Sequence, residues 1–433
     1  MKTFYKLLGY ALISSTTNNF VWFALTWFAY LQTKSVISTG IVGGVYLVAT
    51  AFSGFWFGSL VDHHKKKNVM LGSSIVTFIL FLLGFFLLNT TPKEAFTSVT
   101  SPSLWIFIIV LLGGAVAGNI IGIAIPTLVT HLVPEDRHDK ANGLFGTIMG
   151  VSFAITSVAS GLALAFGGMN FVLLAACIMT LLVIFYLLLL SIPEKQVIHT
   201  GEQKPKKIDI KGTIKAIRSI PGLFALIFFT TFNNFLGGVF MALMDAYGLS
   251  LVSVQVWGIL WGFLSFGFII GGIFIAKRGL GKMPLRTLFR VNLITWTVCI
   301  FFTMQPSIIL LFIGTLIWMC LMPFIEATEQ TIIQKVVPPE RQGRVFGFAQ
   351  SIEQLASPLT AFMIGPIAQF IFIPFMTTGA GVDLIGDWYG VGTGRGIGLV
   401  FSIAGIVGLI VTLLAMRSSS YTLLSKRYSV GEK

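Results

Sequence analysis

Twelve stretches of this chain are each apolar for about 20 residues, the length a helix needs to cross a bilayer. They begin near residues 7, 40, 69, 104, 140, 169, 221, 252, 287, 307, 344 and 396. Of the 433 residues, 55% are hydrophobic and 10% charged, against about 25% charged in a soluble protein. The pattern predicts an all-α integral membrane protein with twelve transmembrane helices. The first run, residues 7–31, is long enough to span and lacks a small-residue cleavage site, so it reads as a retained helix rather than a signal peptide. Cys177, Cys299 and Cys320 lie inside apolar runs without paired spacing, and no disulfide or metal site is indicated.

A net charge of +13 would suggest nucleic acid in a soluble domain, so the positions of the basic residues decide its meaning. Of the 29, 26 fall at the termini, in the central linker or after the second, fourth, eighth and tenth spans; only Lys34, Lys93 and Arg395 fall in the alternate loops. By the positive-inside rule, both termini are expected in the cytoplasm, with the chain in the cell membrane and no nucleic-acid partner.

The chain also repeats itself. Val133-Pro134-Glu135-Asp136-Arg137, with Lys140 and Gly143, returns 204 residues later as Val337-Pro338-Pro339-Glu340-Arg341, with Arg344 and Gly347. Asn18-Asn19-Phe20 in the first span returns 215 residues later as Asn233-Asn234-Phe235 in the seventh. Two pseudo-symmetric six-helix halves follow: residues 1–192 and 221–416, joined by a linker at 193–220 and followed by a tail at 417–433. Internal repetition in a strongly apolar chain marks transporters, whose substrate site tends to lie at the repeat interface. In the linker, Ile210, Ile214 and Ile217 alternate with Lys211, Lys215 and Arg218, a pattern that fits a helix on an anionic membrane face or a solvated connection. The two repeat offsets place about ten extra residues in the first half, and residues 89–103 are the obvious location. Residues 374–394, rich in glycine, read as an interfacial cap or a loop.

After the second span comes Gly58-Ser59-Leu60-Val61-Asp62-His63-His64-Lys65-Lys66-Lys67. This resembles the signature of the major facilitator superfamily between helices two and three, matching at Gly58, Leu60, Asp62, Lys66 and Lys67. His63 and Lys65 depart from it. The resemblance implies the major facilitator fold and a cytoplasmic gate in which Asp62 meets the start of helix eleven near Gly343 and Arg344, with Arg137 and Arg341 on the same face. Gly58 would allow close helix approach, and a carboxylate suits the positive end of a helix. The equivalent site in the second half has Ala276 in place of Asp62, so any latch is one-sided. Within the superfamily, the Val-Pro-Glu run before helix five and Gly343-Arg344-Val345-Phe346 look most like drug exporters of the macrolide-efflux group, which implies export of an amphipathic compound. Two features of drug–proton antiporters are missing: residues 104–132 contain no Arg or Lys, and residues 154–161 contain no proline.

Proton coupling would therefore need other groups. Glu326, Glu329 and Glu353 are acids well inside apolar spans, where an ionisable group is costly and usually faces a cavity. Burial favours the neutral carboxyl, as a proton carrier requires; hydrogen-bonded packing is the alternative. Glu326 and Glu329 lie three apart on one helix face, after the bend expected at Pro323. The asparagine pairs Asn18, Asn19, Asn233 and Asn234 lie roughly 17 Å into their spans, and Asn119 is near mid-depth in the fourth. With Trp22 and Trp318 they form the expected substrate cavity, with interhelical polar glue as the other account.

The five histidines have no nucleophile, metal-ligand or phosphate-loop pattern around them, which excludes an enzyme reading. The expectation is a monomeric secondary transporter of amphipathic small molecules, without cofactor and driven by the proton gradient. Its rivals are a lipid, siderophore or nutrient carrier of the same fold, and a membrane sensor that transports nothing.

Overall fold

The computed structural model describes residues 2–33, 36–194 and 210–430. Every regular element among them is helical: α1 (Lys2–Thr33), α2 (Val36–His63), α3 (Lys66–Thr90), α4 (Pro102–Gly118), α5 (Ile121–Leu132), α6 (His138–Leu189), α7 (Ile210–Ser219), α8 (Leu223–Leu249), α9 (Val254–Arg278), α10 (Pro284–Phe301), α11 (Ile308–Val336), α12 (Gln342–Ile367), α13 (Ile373–Thr377), α14 (Ala380–Tyr389), α15 (Thr393–Arg417) and α16 (Ser419–Val430). Nine helical runs among the described residues are long and apolar enough to cross a membrane. One of them, Glu135–Leu189, has 55 residues and is broken at Gly168, where φ is 64° and ψ −175°. Only glycine adopts that backbone cheaply, so the run is two helices. α1, with 32 residues, and α10, with 18, lie outside the nine. Side chains such as Phe166, Leu182, Leu189 and Phe362 are exposed, a surface that calls for lipid rather than water.

The chain divides into two compact units. One comprises Met1–Ala141, Ile148–Thr213 and Val337–Ser351; the other comprises Asn142–Thr147, Ile214–Val336 and Ile352–Lys433. The first turns of α12 thus belong with most of the chain's first half, and a short stretch of α6 belongs with the second. In the first unit, α3 packs on α4, and the core gathers Phe20, Phe28, Phe81 and Phe107. In the second, α9 packs on α11 and α10 on α15, around Phe240, Trp296 and Phe401.

The repeat holds in three dimensions. Both Val-Pro loops form one 3-10 turn, Glu135–Arg137 and Pro339–Arg341. In each, the amide of the arginine donates to the proline carbonyl at 2.9 Å. The next side chain closes the loop in both: a ring nitrogen of His138 pairs with the Val133 carbonyl at 3.1 Å, and Gln342 Nε2 donates to the Val337 carbonyl at 3.0 Å.

Three segments are more ordered than their sequence suggests. Residues 374–394 are largely helical, in α13, α14 and the start of α15, with Tyr389 buried and its hydroxyl 3.0 Å from Ser402 Oγ. The tail folds as α16, where Leu424 is buried, Tyr421 stands edge-on to Phe289 and Tyr428 lies under the Lys335 ammonium. In α7, Ile217 is fully buried in the protein while Ile210 is exposed; the remainder of the linker, residues 195–209, lies outside the described residues.

Arg395, one of the few basic residues away from the charged loops, is 5% exposed. Its guanidinium donates to the carbonyls of Tyr389 (2.6 Å), Thr303 (2.8 Å) and Met304 (2.8 Å) and to the Tyr247 hydroxyl (3.0 Å). It therefore ties α8, the α10–α11 turn and the α14–α15 turn together. Arg395→Ala would leave these acceptors unpaired, and we expect a loss of about 3 kcal/mol, seen as a lower melting temperature of the purified protein. Lysine should not rescue it, because a point charge cannot serve a fork of acceptors.

Candidate functional site

The polar groups of interest lie in three places. At the end of α2, Asp62 is 6% exposed and sits over the first turn of α12. Its Oδ1 accepts from the Gly343 amide at 2.6 Å; its Oδ2 accepts from the Arg344 amide at 2.9 Å and from Arg344 Nε at 3.2 Å. The carboxylate thus satisfies amides that a helix N-terminus leaves without intrahelical partners, and it meets the positive end of the helix dipole. Four glycines permit the approach. A Cβ on Gly58 would lie 2.4 Å from the Gly343 carbonyl oxygen, and one on Gly347 would lie 2.2 Å from that of Gly54. Gly54 and Gly58 on α2 therefore face Gly343 and Gly347 on α12, a reciprocal small-xxx-small pair. Gly54 escaped the sequence reading, although its four-residue spacing from Gly58 was the available signal.

The other charges expected at this gate do not join Asp62. Arg137 is exposed and lies 3.9 Å from Asp136, and Arg341 is exposed as well. Lys66 and Lys67 take part through their backbone: their amides donate to Glu194 at 2.6 and 2.8 Å, so Glu194 caps α3, while Lys67 Nζ donates to the Leu188 carbonyl at 3.1 Å. No local pattern marks Glu194, which lies 128 residues from Lys66. The counterpart contact in the second half is purely packed: a Cβ on Gly143 would press on Ile275 and the Ala276 amide, and one on Gly272 on Thr147.

The second place is the acid cluster of the second unit. Glu329 on α11 is 8% exposed. It faces Glu353 of α12 within hydrogen-bonding reach. Thr230 Oγ1 of α8 lies between them, 2.7 Å from Glu353 Oε1 and 3.3 Å from Glu329 Oε1. Two facing carboxyls can hydrogen-bond only if one holds a proton. Glu326, three residues earlier on α11, is exposed. The repeat identifies what is special here. The counterparts of Thr230 and Glu353, at offsets of 215 and 204, are Ser15 and Met149, and they also touch, Oγ to Sδ at 3.4 Å. The helix contact is common to both halves, and the acids are an addition of the second.

The third place is the set of asparagines. In the first unit, Asn18 is buried so close to α4 that a Cβ on Gly118 would overlap its amide. Asn19 Nδ2 reaches Ser152 Oγ at 3.5 Å. At the break between α4 and α5, Asn119 Nδ2 donates to the Tyr46 hydroxyl at 3.0 Å and to Thr50 Oγ1 at 3.2 Å; Trp22 packs on the Tyr46 ring. In the second unit, Asn233, Asn234 and Trp318 line a cavity of about 160 Å³. Asn233 Oδ1 accepts from Trp296 Nε1 at 2.9 Å there. Among the described residues, no group of three His, Cys, Asp or Glu side chains is arranged to hold a metal.

Comparison with known proteins agrees with this architecture. The chain is 22% identical to a macrolide efflux protein A of Streptococcus pyogenes over 368 residues, 82% of this chain and 87% of that protein. It is 23% identical to one from Enterococcus faecalis over 342 residues, 75% and 98%. In fold it resembles a bacterial homologue of the iron transporter ferroportin in an outward-facing state (TM-score 0.70, 15% identity, covering 99% of this chain and 100% of that one). It also resembles a proton:xylose symporter (TM-score 0.68, 12% identity, 99% of each) and the fucose:proton symporter of E. coli (TM-score 0.70, 13% identity, 96% and 98%). The family pattern of the Major Facilitator Superfamily matches residues 7–361, so the chain belongs to that superfamily and is a multi-pass membrane transporter, not an enzyme.

Proposed function

We propose that this protein is a monomeric, twelve-span secondary transporter that exports amphipathic small molecules by alternating access in exchange for protons. The observation that carries the coupling is the Glu329–Glu353 pair on Thr230, a place on three helices where one proton has two carboxyls to choose between. Glu326 is the exposed acid nearest the pair in sequence and supplies a route for that proton to enter or leave. No further cofactor is needed when a gradient does the work. The basic clusters put both termini and the Asp62 end of α2 on the cytoplasmic side of the cell membrane, and the Asp62–Arg344 contact holds that side closed in one state of the cycle. Asn233, Asn234 and Trp318 offer substrate contacts, with Asn18, Asn19, Trp22 and Asn119 as their polar counterparts in the other unit. Export of a drug-like compound draws support from the names of the relatives.

The test is uptake of a macrolide and of ethidium into proteoliposomes under an imposed pH gradient. Accumulation that collapses when the gradient is dissipated is the expected result. Flux of a sugar, lipid or siderophore but of neither drug would assign a different cargo. No flux of any of them, with correctly folded protein, would remove the transport mechanism proposed here.

A further inference from the structure

Two residues that line the second-unit cavity each carry a buried polar atom that nothing in the protein satisfies. Asn292 on α10 is wholly buried; its Nδ2 donates to the Leu288 carbonyl at 3.0 Å, while its Oδ1 has no partner. The bond to a carbonyl fixes which amide atom is nitrogen, so the free atom is an acceptor. Thr295 is 2% exposed, and its hydroxyl has no partner either. The two residues lie three apart on one face of α10, and both line the cavity with Asn233, Asn234, Trp296 and Trp318. Buried polar atoms are rarely left in this condition, because each costs about 1–3 kcal/mol.

The first unit carries the same arrangement in a closed form. Lys66, Met70, Ser74, Thr77 and Phe81 of α3 are buried, and so are the residues 218 positions later: Pro284, Leu288, Asn292, Thr295 and Cys299 of α10. Ser74 and Thr77, the counterparts of Asn292 and Thr295, are satisfied by the carbonyls of Met70 and Gly114, each at 2.9 Å. The space beside them and Asn18 is about 10 Å³, room for one water at most. Small residues close it: a Cβ on Gly114 would strike the Phe81 ring, and one on Gly118 would strike Asn18. At the 204-residue offset, those glycines become Trp318 and Met322. Both are cavity-lining residues, so the two positions that are glycine beside the closed first-unit space carry bulky side chains around the open second-unit space.

The lining selects an occupant. It contains no charged side chain, so an ion entering would lose its hydration without gaining a counter-charge. A neutral hydroxyl fits: once the two buried side chains turn toward the cavity, it donates to Asn292 Oδ1, and a neighbouring hydroxyl exchanges a bond with Thr295 Oγ1. The half-buried Trp318 indole offers apolar surface for the C–H face of a ring. We propose that this cavity is a binding subsite for a neutral, hydroxylated ring or chain on the transported molecule, recognised by Asn292 and Thr295. The assignment rests on the transporter reading above, to which it adds a substrate class.

The test uses the full chain in lipid nanodiscs, with quenching of tryptophan fluorescence by para-nitrophenyl β-glucoside and by para-nitrophenyl cyclohexyl ether, which lacks the hydroxyls. The glucoside should bind at least tenfold more tightly than the ether. Asn292→Leu and Thr295→Val should each remove most of that difference. Gly237→Leu provides a control for folding: Gly237 lines the cavity, and no atom lies within 4 Å of a Cβ placed on it, so the new side chain fills the space without displacing a neighbour. It should abolish glucoside binding with the melting temperature unchanged. Equal binding of glucoside and ether, or glucoside binding untouched by all three substitutions, would overturn the proposal. Gradient-driven flux without glucoside binding would remove this site and leave the transporter. Glucoside binding that obeys all three substitutions, without flux of any solute, would keep the site and remove the transporter.

Discussion

Glu329→Gln is expected to cut pH-gradient-driven flux at least tenfold while leaving the protein folded and able to bind substrate. Glutamine matches glutamate in shape, and its amide can donate to Glu353, so the contact among α8, α11 and α12 survives. What it cannot do is take up or release a proton. Glu353→Gln should behave alike, because the pair shares one function, and the double substitution should be no worse than either single one. Glu326→Gln should have a smaller effect, since Glu326 is exposed and outside the pair. Substrate exchange in the absence of a gradient should continue in all four variants. Full gradient-driven accumulation by Glu329→Gln and Glu353→Gln would mean that the pair is structural and that coupling lies elsewhere.

A comparably large effect is expected from Gly58→Val. A Cβ there would lie 2.4 Å from the Gly343 oxygen and 3.0 Å from the Arg344 Cα. Both are backbone atoms that cannot rotate away, so the ends of α2 and α12 must separate. Asp62 then loses the amides of Gly343 and Arg344. With charge-assisted bonds of this kind, the latched arrangement should lose about 2–3 kcal/mol, roughly a hundredfold in its population ratio. Asp62→Asn tests the same contact without a steric change, because an amide nitrogen turned toward the Arg344 donors cannot accept from them. The readout is alkylation of Ser351→Cys in a background lacking the three native cysteines. Ser351 is fully buried beside Gly54, so both variants should speed its labelling at least tenfold. Unchanged labelling would show that the latch does not govern opening at this end.

Much of this was legible in the sequence because membrane helices leave a long-wavelength signal. The apolar runs expected to begin near 69, 104 and 344 start as helices at Lys66, Pro102 and Gln342. The Val-Pro repeat became two loops with the same 3-10 turn and hydrogen bond because proline and a short polar turn dictate their own backbone. Asp62 could be singled out because Gly58, Leu60, Asp62, Lys66 and Lys67 resemble the superfamily signature, and that resemblance implied its meeting with Gly343 and Arg344. The docked helices α14 and α16 were not legible in the same way. Their short segments become helices by burying Tyr389 and Leu424 against distant residues, and tertiary packing, not propensity, stabilises helices of 10 and 12 residues.

The sequence by itself determined the membrane setting, the long apolar helices, the duplication and the positions where the two copies differ, since hydropathy, proline and residue identity are local properties. Only the tertiary structure decided which groups meet. It separated Glu326 from the Glu329–Glu353 pair, placed Thr230 between those two acids, brought Glu194 to α3 and Arg395 to four acceptors, and left buried polar atoms of Asn292 and Thr295 unpaired beside a cavity. These are contacts between residues far apart in the chain, and they depend on how closely two helices approach. That distance is set by the bulk of the facing side chains, glycine at Gly114 and Gly118 in one half and Trp318 and Met322 in the other, and it becomes visible only when the helices are packed.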